Sequence, residues 1–369
     1  MKTYLVTGAA GFIGTNFIKY LLQKYSDIFI VAFDKLTYAG RKENLEEEIQ
    51  KEQIKFIEGD ICDSTLVEEI FIKYSIDYVV NFAAESHVDR SIESSRVFLE
   101  TNVMGTQNLL EIAKKFWMIG KDNYGYPFYQ EGKKFLQVST DEVYGSLEIN
   151  TSKGKKIGKY RKIFGTKFFN EEMPLAPRSP YSASKAAADL LVMAYKETYH
   201  LPVNITRSSN NYGPYQFPEK LIPLMIQKIL QGKNLPIYGN GKNVRDWIYV
   251  EDHCRGIELV LQHGKLGEIY NIGGLYEETN FNIVLLLLEK IVQIIKENQE
   301  YQKYLQKDIS KINKELISYV QDRLGHDERY AMNISKIQDQ LGWQPKIEFS
   351  VGLQKTILWY LQHQDWILK

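Results

Sequence analysis

The stretch YLVTGAAGFIG, residues 4–14, decides the fold. Tyr4–Thr7 is a short apolar run that reads as a buried strand. From Ile13 to Tyr25 apolar residues recur at helical spacing. Gly8, Gly11 and Gly14 fill the turn between the two. Glycine there permits a tight bend and lets a pyrophosphate approach the backbone N–H groups at the start of the helix. The spacing is GxxGxxG, with the middle glycine displaced from the GxGxxG form. Its position between a first strand and a first helix is what makes it informative.

Working outward, the pattern repeats. Strand-like runs fall at Ile28–Phe33, Ile54–Ile57, Tyr78–Phe82 and Phe135–Val138. Helical spacing marks Leu66–Tyr74, with Asp63 or Ser64 as its cap, and Val97–Trp117. Buried, non-alternating strands separated by helices imply an α/β fold, a Rossmann-type doubly wound parallel sheet. After Pro180 a helix runs to about His200, then a strand at Val203–Thr206. Beyond it, segments broken by Gly, Pro and Asn suggest a smaller substrate-binding lobe of long loops and helices. The expected division is 1–206, with about 243–272 added, as the dinucleotide-binding domain and 207–369 as the interleaved smaller α/β lobe. Residues 120–134 read as a loop, 146–172 as a surface excursion, and Lys290–Lys314 as a polar, solvated helix.

Composition narrows the function class. The 369 residues carry 46 Lys+Arg against 46 Asp+Glu, so no basic face marks the chain for nucleic acid or an anionic membrane. Cys62 and Cys254 stand apart, and the six histidines are scattered, so no metal site is expected. No signal-peptide core follows Met1, and the apolar stretch around Ile283–Leu288 is too short to span a bilayer. A cytoplasmic enzyme is the expectation.

Strand ends supply the candidate chemistry, because ligands of a parallel sheet gather beyond them. Asp34, twenty residues after Gly14, can accept hydrogen bonds from adenosine ribose hydroxyls and would repel a 2′-phosphate, which favours NAD over NADP; Lys35 and Arg41 pull the other way. Asp60 can reach an adenine amino group. Phe82, Ala83 and Ala84 would let a cofactor lie against the fourth strand. The run Phe135–Gly145, FLQVSTDEVYG, ends in Ser139, Thr140, Asp141 and Glu142, four groups that can hold or move protons. Tyr181 and Lys185 share one helix face, where an ammonium lowers the pKa of a phenol. YxxxK also occurs at Tyr20, Tyr38, Tyr129 and Tyr238. Only Tyr181 opens a helix rich in small residues after such a strand.

With these residues in view the chain resembles the extended short-chain dehydrogenase/reductases that act on nucleotide sugars. The phrases DKLTYAG (34–40), AAESHVDRS (83–91), STDEVYG (139–145), YSASKA (181–186), NNYGPYQFPEKLIP (210–223), RDWIYVEDH (245–253) and GHDERYA (325–331) are similar to the branch that removes water from hexoses. The resemblance spans nearly the whole chain and departs at 120–132, 146–172 and about 290–317. It implies dehydration of dTDP-glucose by a hydro-lyase and membership of a homodimer. By it, Tyr181, held by Lys185, takes the proton of the sugar 4-hydroxyl, and Thr140 bonds the same oxygen. Glu142 removes the C5 proton, and Asp141 protonates the departing 6-hydroxyl. It further implies contacts to NAD from Phe12, Ile13, Lys35, Leu36, Thr37, Ile61, Ser86, Thr101 and Asn211. Contacts to substrate are implied for Ser86, His87, Asn210, Lys220, Leu221, Pro236, Ile237, Tyr238, Arg245, Asn280, Asp322, His326 and Tyr330, with Arg245 as the diphosphate clamp. A sister 4-epimerase would need Tyr181 and Lys185 but not the Asp141–Glu142 pair. A non-catalytic dinucleotide sensor would need none of the set.

Overall fold

Seven parallel strands form the central sheet of the computed structural model, which describes residues 1–151, 154–157 and 161–368. They are β1 (Lys2–Thr7), β2 (Ile28–Asp34), β3 (Ile54–Glu58), β4 (Tyr78–Asn81), β5 (Lys134–Thr140), β6 (Val203–Ser208) and β7 (Ile269–Ile272), in the order β7-β6-β5-β4-β1-β2-β3. The order reverses between β1 and β4, so a crevice opens at their carboxyl ends.

The sheet is apolar on both faces, which is why its strands do not alternate in sequence. Tyr4 and Val6 of β1 pack with Phe17, Ile18 and Leu21 of helix Phe12–Lys24 and with Val260 and Leu261 of helix Val250–His263. Leu5 points the other way, into a cluster with Val67, Leu109 and Val192 from helices Ser64–Tyr74, Thr106–Trp117 and Pro180–Tyr199. Each such fully buried side chain stabilises the fold by about 1.5–3 kcal/mol. A third cluster, with Ile226, Leu287, Ile291 and Ile357, gathers buried residues from Tyr212 to Ile367.

The chain beyond residue 207 holds more strand than its sequence suggests. Asn210–Tyr212, Val244–Tyr249 and Glu277–Thr279 form a small sheet, and Leu235–Tyr238 pairs in parallel with Ile317–Val320. The strand expected at Val203–Thr206 runs on to Ser208.

Two further expectations are corrected, and a third is refined. Residues 120–134 are not a loop throughout, because Met118–Lys121 pairs antiparallel with Pro127–Tyr129. Asp122 Oδ1 accepts both Tyr124 N and Tyr126 N at 2.9 Å, and Gly125 at φ +87° closes the turn. Tyr126 then stacks on His200, a long-range contact invisible in local sequence. The helix expected over 290–314 ends at Glu297, where the chain passes into short 3-10 turns, and Ile291, Ile294 and Ile295 bury one face of it. The excursion 146–172 is anchored by buried Phe164 and Phe169, and Glu277 accepts Phe164 N at 2.8 Å. Residues 152–153 and 158–160 of it lie outside the described residues.

The expected helix Val97–Trp117 is interrupted. Leu99–Gly105 is a π-turn, a local widening that is common at functional sites, and Thr101 within it faces the crevice. No described helix is long and apolar enough to cross a membrane.

Candidate active site

At the crevice the glycines have specific duties. Gly8 turns at φ +63°, and a Cβ there would lie 2.7 Å from Ala83 N, so the β1 and β4 ends touch backbone to backbone. A Cβ on Gly14 would lie 2.2 Å from Gly8 O. Gly11 caps helix Phe12–Lys24 with no side-chain bond, leaving the first-turn N–H groups open to a ligand.

Asp34, at the end of β2, is buried. Its Oδ2 accepts Ala10 N at 2.9 Å and its Oδ1 accepts Leu36 N at 2.8 Å. Burial raises its pKa, against these backbone bonds. Leu36 itself does not line the crevice; it acts through that N–H, at φ +52°. The two cations near Asp34 are otherwise engaged. Lys35 pairs with Asp60 Oδ2 at 2.6 Å, and Arg41 lies 4.4 Å from the Trp366 ring centre. Asp60 is held below the usual range: burial pushes it up, but Lys35 and the N–H of Cys62 outweigh that.

One cavity runs from Gly8, Gly11, Phe12, Ile13 and Gly14 past Asp34, Lys35, Thr37, Asp60 and Ile61. It continues along Phe82, Ala83, Ala84, Ser86 and Thr101 to Thr140, Asp141, Glu142, Tyr181, Lys185 and Asn211. A second cavity is lined by His87, Leu221, Pro236, Ile237, Tyr238, Arg245, Asn280, His326 and Tyr330. Glu142, Asn210, Asn211, Gln216, Glu219 and Lys220 line both, so the two meet at Glu142.

The meeting point is built by the end of β5. Thr140 is extended, and its Oγ1 accepts Glu142 N at 3.2 Å, capping the 3-10 turn Asp141–Tyr144. Thr140 Oγ1 also donates to Asp141 Oδ1 at 3.2 Å and bonds the Tyr181 phenol. Asp141 is 2% exposed, and its Oδ2 has no hydrogen-bond partner. Burial, then Glu142, then Asp246, push its pKa far up. Glu142 is raised too, chiefly by burial, while Lys220, Arg245 and Arg323 oppose the rise. Two adjacent carboxyls with unequal surroundings are suited to opposite proton duties.

Tyr181 and Lys185 fall on helix Pro180–Tyr199, started by a capping box in which Ser179 and Ser182 bond each other's backbone N–H groups. Here one expectation is revised. Burial and the carboxylates of Glu142 and Asp141 push the Tyr181 phenol well up, and the Thr140 bond offsets only part. Lys185 Nζ donates to Val138 O at 2.8 Å, and burial brings its pKa down to about 8.

In the second cavity Arg245 is buried, lies 4.1 Å from the Tyr330 ring centre and donates to Asp327 O at 3.0 Å. The Oδ1 atoms of Asn210 and Asn280 are buried without partners, and Lys220 Nζ donates to Ser86 O at 2.8 Å. Asp322 does not line the cavity; it lies 2.7 Å from His326 Nδ1 and orients that ring. Sequence reasoning missed Arg323, which lines the cavity beside Arg245 and makes a two-pronged pair with Asp89 at 2.6 and 2.9 Å. Its adjacency to Asp322 was the available signal. Glu219 was missed as well, though it directly precedes Lys220.

The residues fit a dinucleotide. The bare helix start, the glycine cradle that any Cβ would fill, and buried Asp34 at the β2 end are what a pyrophosphate and an adenosine ribose require.

Known proteins agree with this architecture. The family model described as GDP-mannose 4,6 dehydratase matches residues 5–356. The dTDP-glucose 4,6-dehydratase of Salmonella typhimurium is 44% identical over 98% of this chain and 94% of its own length. Among solved structures, that of the Bacillus anthracis dTDP-glucose 4,6-dehydratase in complex with NAD superposes with a TM-score of 0.80 at 43% identity, covering 99% of this chain and 98% of that one. A double mutant of the Streptomyces venezuelae dTDP-glucose 4,6-dehydratase, also with NAD bound, gives 0.81 at 41% identity, covering 98% of each chain. From crevice to second cavity, the chain belongs to the nucleotide-sugar 4,6-dehydratase family.

Proposed function

We propose that this protein is an NAD-dependent hydro-lyase that converts dTDP-glucose to dTDP-4-keto-6-deoxyglucose, in nucleotide-sugar metabolism. The carrying observation is that Asp141 and Glu142 stand side by side where the two cavities meet, in one pocket with Tyr181 and Lys185. Bound in the first cavity, NAD supplies a hydride acceptor that later acts as donor, and a positive charge on its nicotinamide.

Tyr181 takes the proton of the 4-hydroxyl as C4 loses its hydride, and Thr140 holds the 4-oxygen. The raised Tyr181 pKa means that this step needs positive charge nearby, which the Lys185 ammonium contributes. The 4-ketone acidifies C5, and Glu142 takes that proton. Asp141, protonated, gives its proton to the 6-hydroxyl, which leaves as water. When hydride is returned to C6, C5 regains a proton from Glu142. The sum is loss of one water with no net redox change, and the proton held by Tyr181 passes through solvent to restore Asp141. Arg245 with Arg323 and Lys220 supply cationic surroundings for a diphosphate. Asn210 and Asn280 offer unpartnered polar atoms to the rest of the substrate.

The NAD-binding unit is 1–206 with about 243–272, and the remainder of 207–369 holds the nucleotide sugar. The working form is a cytoplasmic homodimer. Exposed Val97, Leu99 and Met104, with Leu190 on helix Pro180–Tyr199, support a four-helix seam about a two-fold axis. Incubation with dTDP-glucose and with UDP-glucose, followed by mass spectrometry, tests the reaction. Loss of water from dTDP-glucose is expected; a 4-epimer without mass change overturns the reading.

A further inference from the structure

Far along the chain from the glycine turn, Trp366 reaches the loop that follows β2. Its indole Nε1 donates to Asn44 Oδ1 at 2.7 Å, and its carbonyl oxygen accepts from the Arg41 guanidinium. The same guanidinium lies 4.4 Å from the Trp366 ring centre and 5.1 Å from that of Phe217. Arg41 and Asn44 are in turn tied to the glycine turn, since Arg41 N and Asn44 Nδ2 each donate to Ala10 O at 3.0 Å. Thr37, Ala39 and Gly40, just before Arg41, line the first cavity, as do Gln216 and Phe217.

On its other side Trp366 packs edge-on to Tyr215 and Trp359. Tyr360, from the helix before it, donates to Gln216 O at 2.6 Å. One indole therefore joins two segments distant in sequence, 35–44 and 213–217, that flank the adenosine half of the cavity. Neither segment has regular structure of its own over Lys35–Arg41 or Gly213–Phe217. Loops so placed open readily unless tied elsewhere.

We infer that Trp366, with Arg41 and Asn44, is a clasp that holds these loops closed and sets how long the dinucleotide stays bound. The inference rests on the NAD reading above. It suits a reaction whose cofactor is regenerated in place, because release is then not needed for turnover. Trp366 is a positioning residue and touches no reacting atom. A stacked guanidinium and a hydrogen bond together account for about a tenfold change in residence time.

The test uses the NAD-loaded full chain and its Trp366→Ala, Trp366→Phe and Arg41→Met variants. Each is diluted into excess labelled NAD, and loss of the original cofactor is followed with time. Trp366→Ala should release it about tenfold faster. Trp366→Phe keeps the stack and should fall between. Arg41→Met, at a partly exposed site, decides the matter if Trp366→Ala fails to fold. Release rates equal to the parent's, with only a lower melting temperature, overturn the clasp. A parent that holds no dinucleotide overturns the NAD reading itself.

Discussion

Lys185 Nζ lies 2.8 Å from Val138 O, so the helix lysine is bonded to the end of β5 directly before the proton-handling run. The bond holds a cation in the cavity that Tyr181 also lines, and burial brings the Lys185 pKa down to about 8. Burial disfavours the ammonium, so the charge is present below that pH and lost above it. The kcat/KM of the parent should therefore fall as pH rises through about 8. Lys185→Arg keeps its charge and should move that limb upward, whatever the cost in rate. A pH–rate profile with the limb unmoved in Lys185→Arg would assign it to another group.

The two carboxyls should fail differently. Glu142→Gln should lose exchange of the C5 proton with solvent while still oxidising C4. Asp141→Asn should retain more of that exchange but expel water poorly. Each should lower turnover by ~10²–10⁴-fold, the usual worth of a positioned acid or base. Stopped-flow absorbance of the reduced cofactor, beside deuterium incorporation at C5, separates the cases. Tyr181→Phe should show no reduced cofactor at all. Parent-like turnover in both carboxylate variants would return the pair to an ordinary turn.

Asp141 also makes a stability prediction. Its folded pKa stands far above the unfolded 3.8, so the folded state holds a proton that the unfolded state releases. Stability contributed by that proton is full below the unfolded value and is lost as pH rises toward the folded one. Asp141→Asn removes the penalty, so its melting temperature should exceed the parent's at pH 7, and the two should converge near pH 4. Calorimetry across this range checks it. A variant destabilised at pH 7 would show that the proton is not held.

Cofactor choice should follow Asp34. A 2′-phosphate beside this carboxyl sets like charges together without a free cation, as Lys35 and Arg41 are engaged elsewhere. Several kcal/mol of such repulsion means more than about 100-fold preference for NAD. Asp34→Ser should narrow it. Titration of the apoprotein with both dinucleotides measures this, and NADP binding as tightly as NAD would remove Asp34 from the ribose.

Association should run through the exposed apolar residues of Arg96–Gly105 and Pro180–Tyr199. Leu190, 61% exposed, is the sharpest probe. The parent should scatter light as a dimer at micromolar concentration and Leu190→Glu as a monomer. A monomeric parent would leave that surface without its proposed partner.

By itself the sequence determined the parallel sheet and the cradle at its reversal. Both are written locally: short unbroken apolar runs alternating with helical segments read as strands covered on two faces, and Gly8 and Gly14 stand where any Cβ would strike backbone. Thr140, Asp141 and Glu142 were legible because they stand at the end of a buried strand. Tertiary structure alone decided the rest, since it depends on partners far off in the chain. Only folding turned Arg41 toward Trp366, joined Arg323 to Asp89 across 234 residues of chain, and seated Tyr126 of the 118–129 hairpin on His200. Burial, too, is set only by the folded surroundings. That is why Lys185 and Tyr181, four residues apart and adjacent on one helix, have pKa values driven in opposite directions.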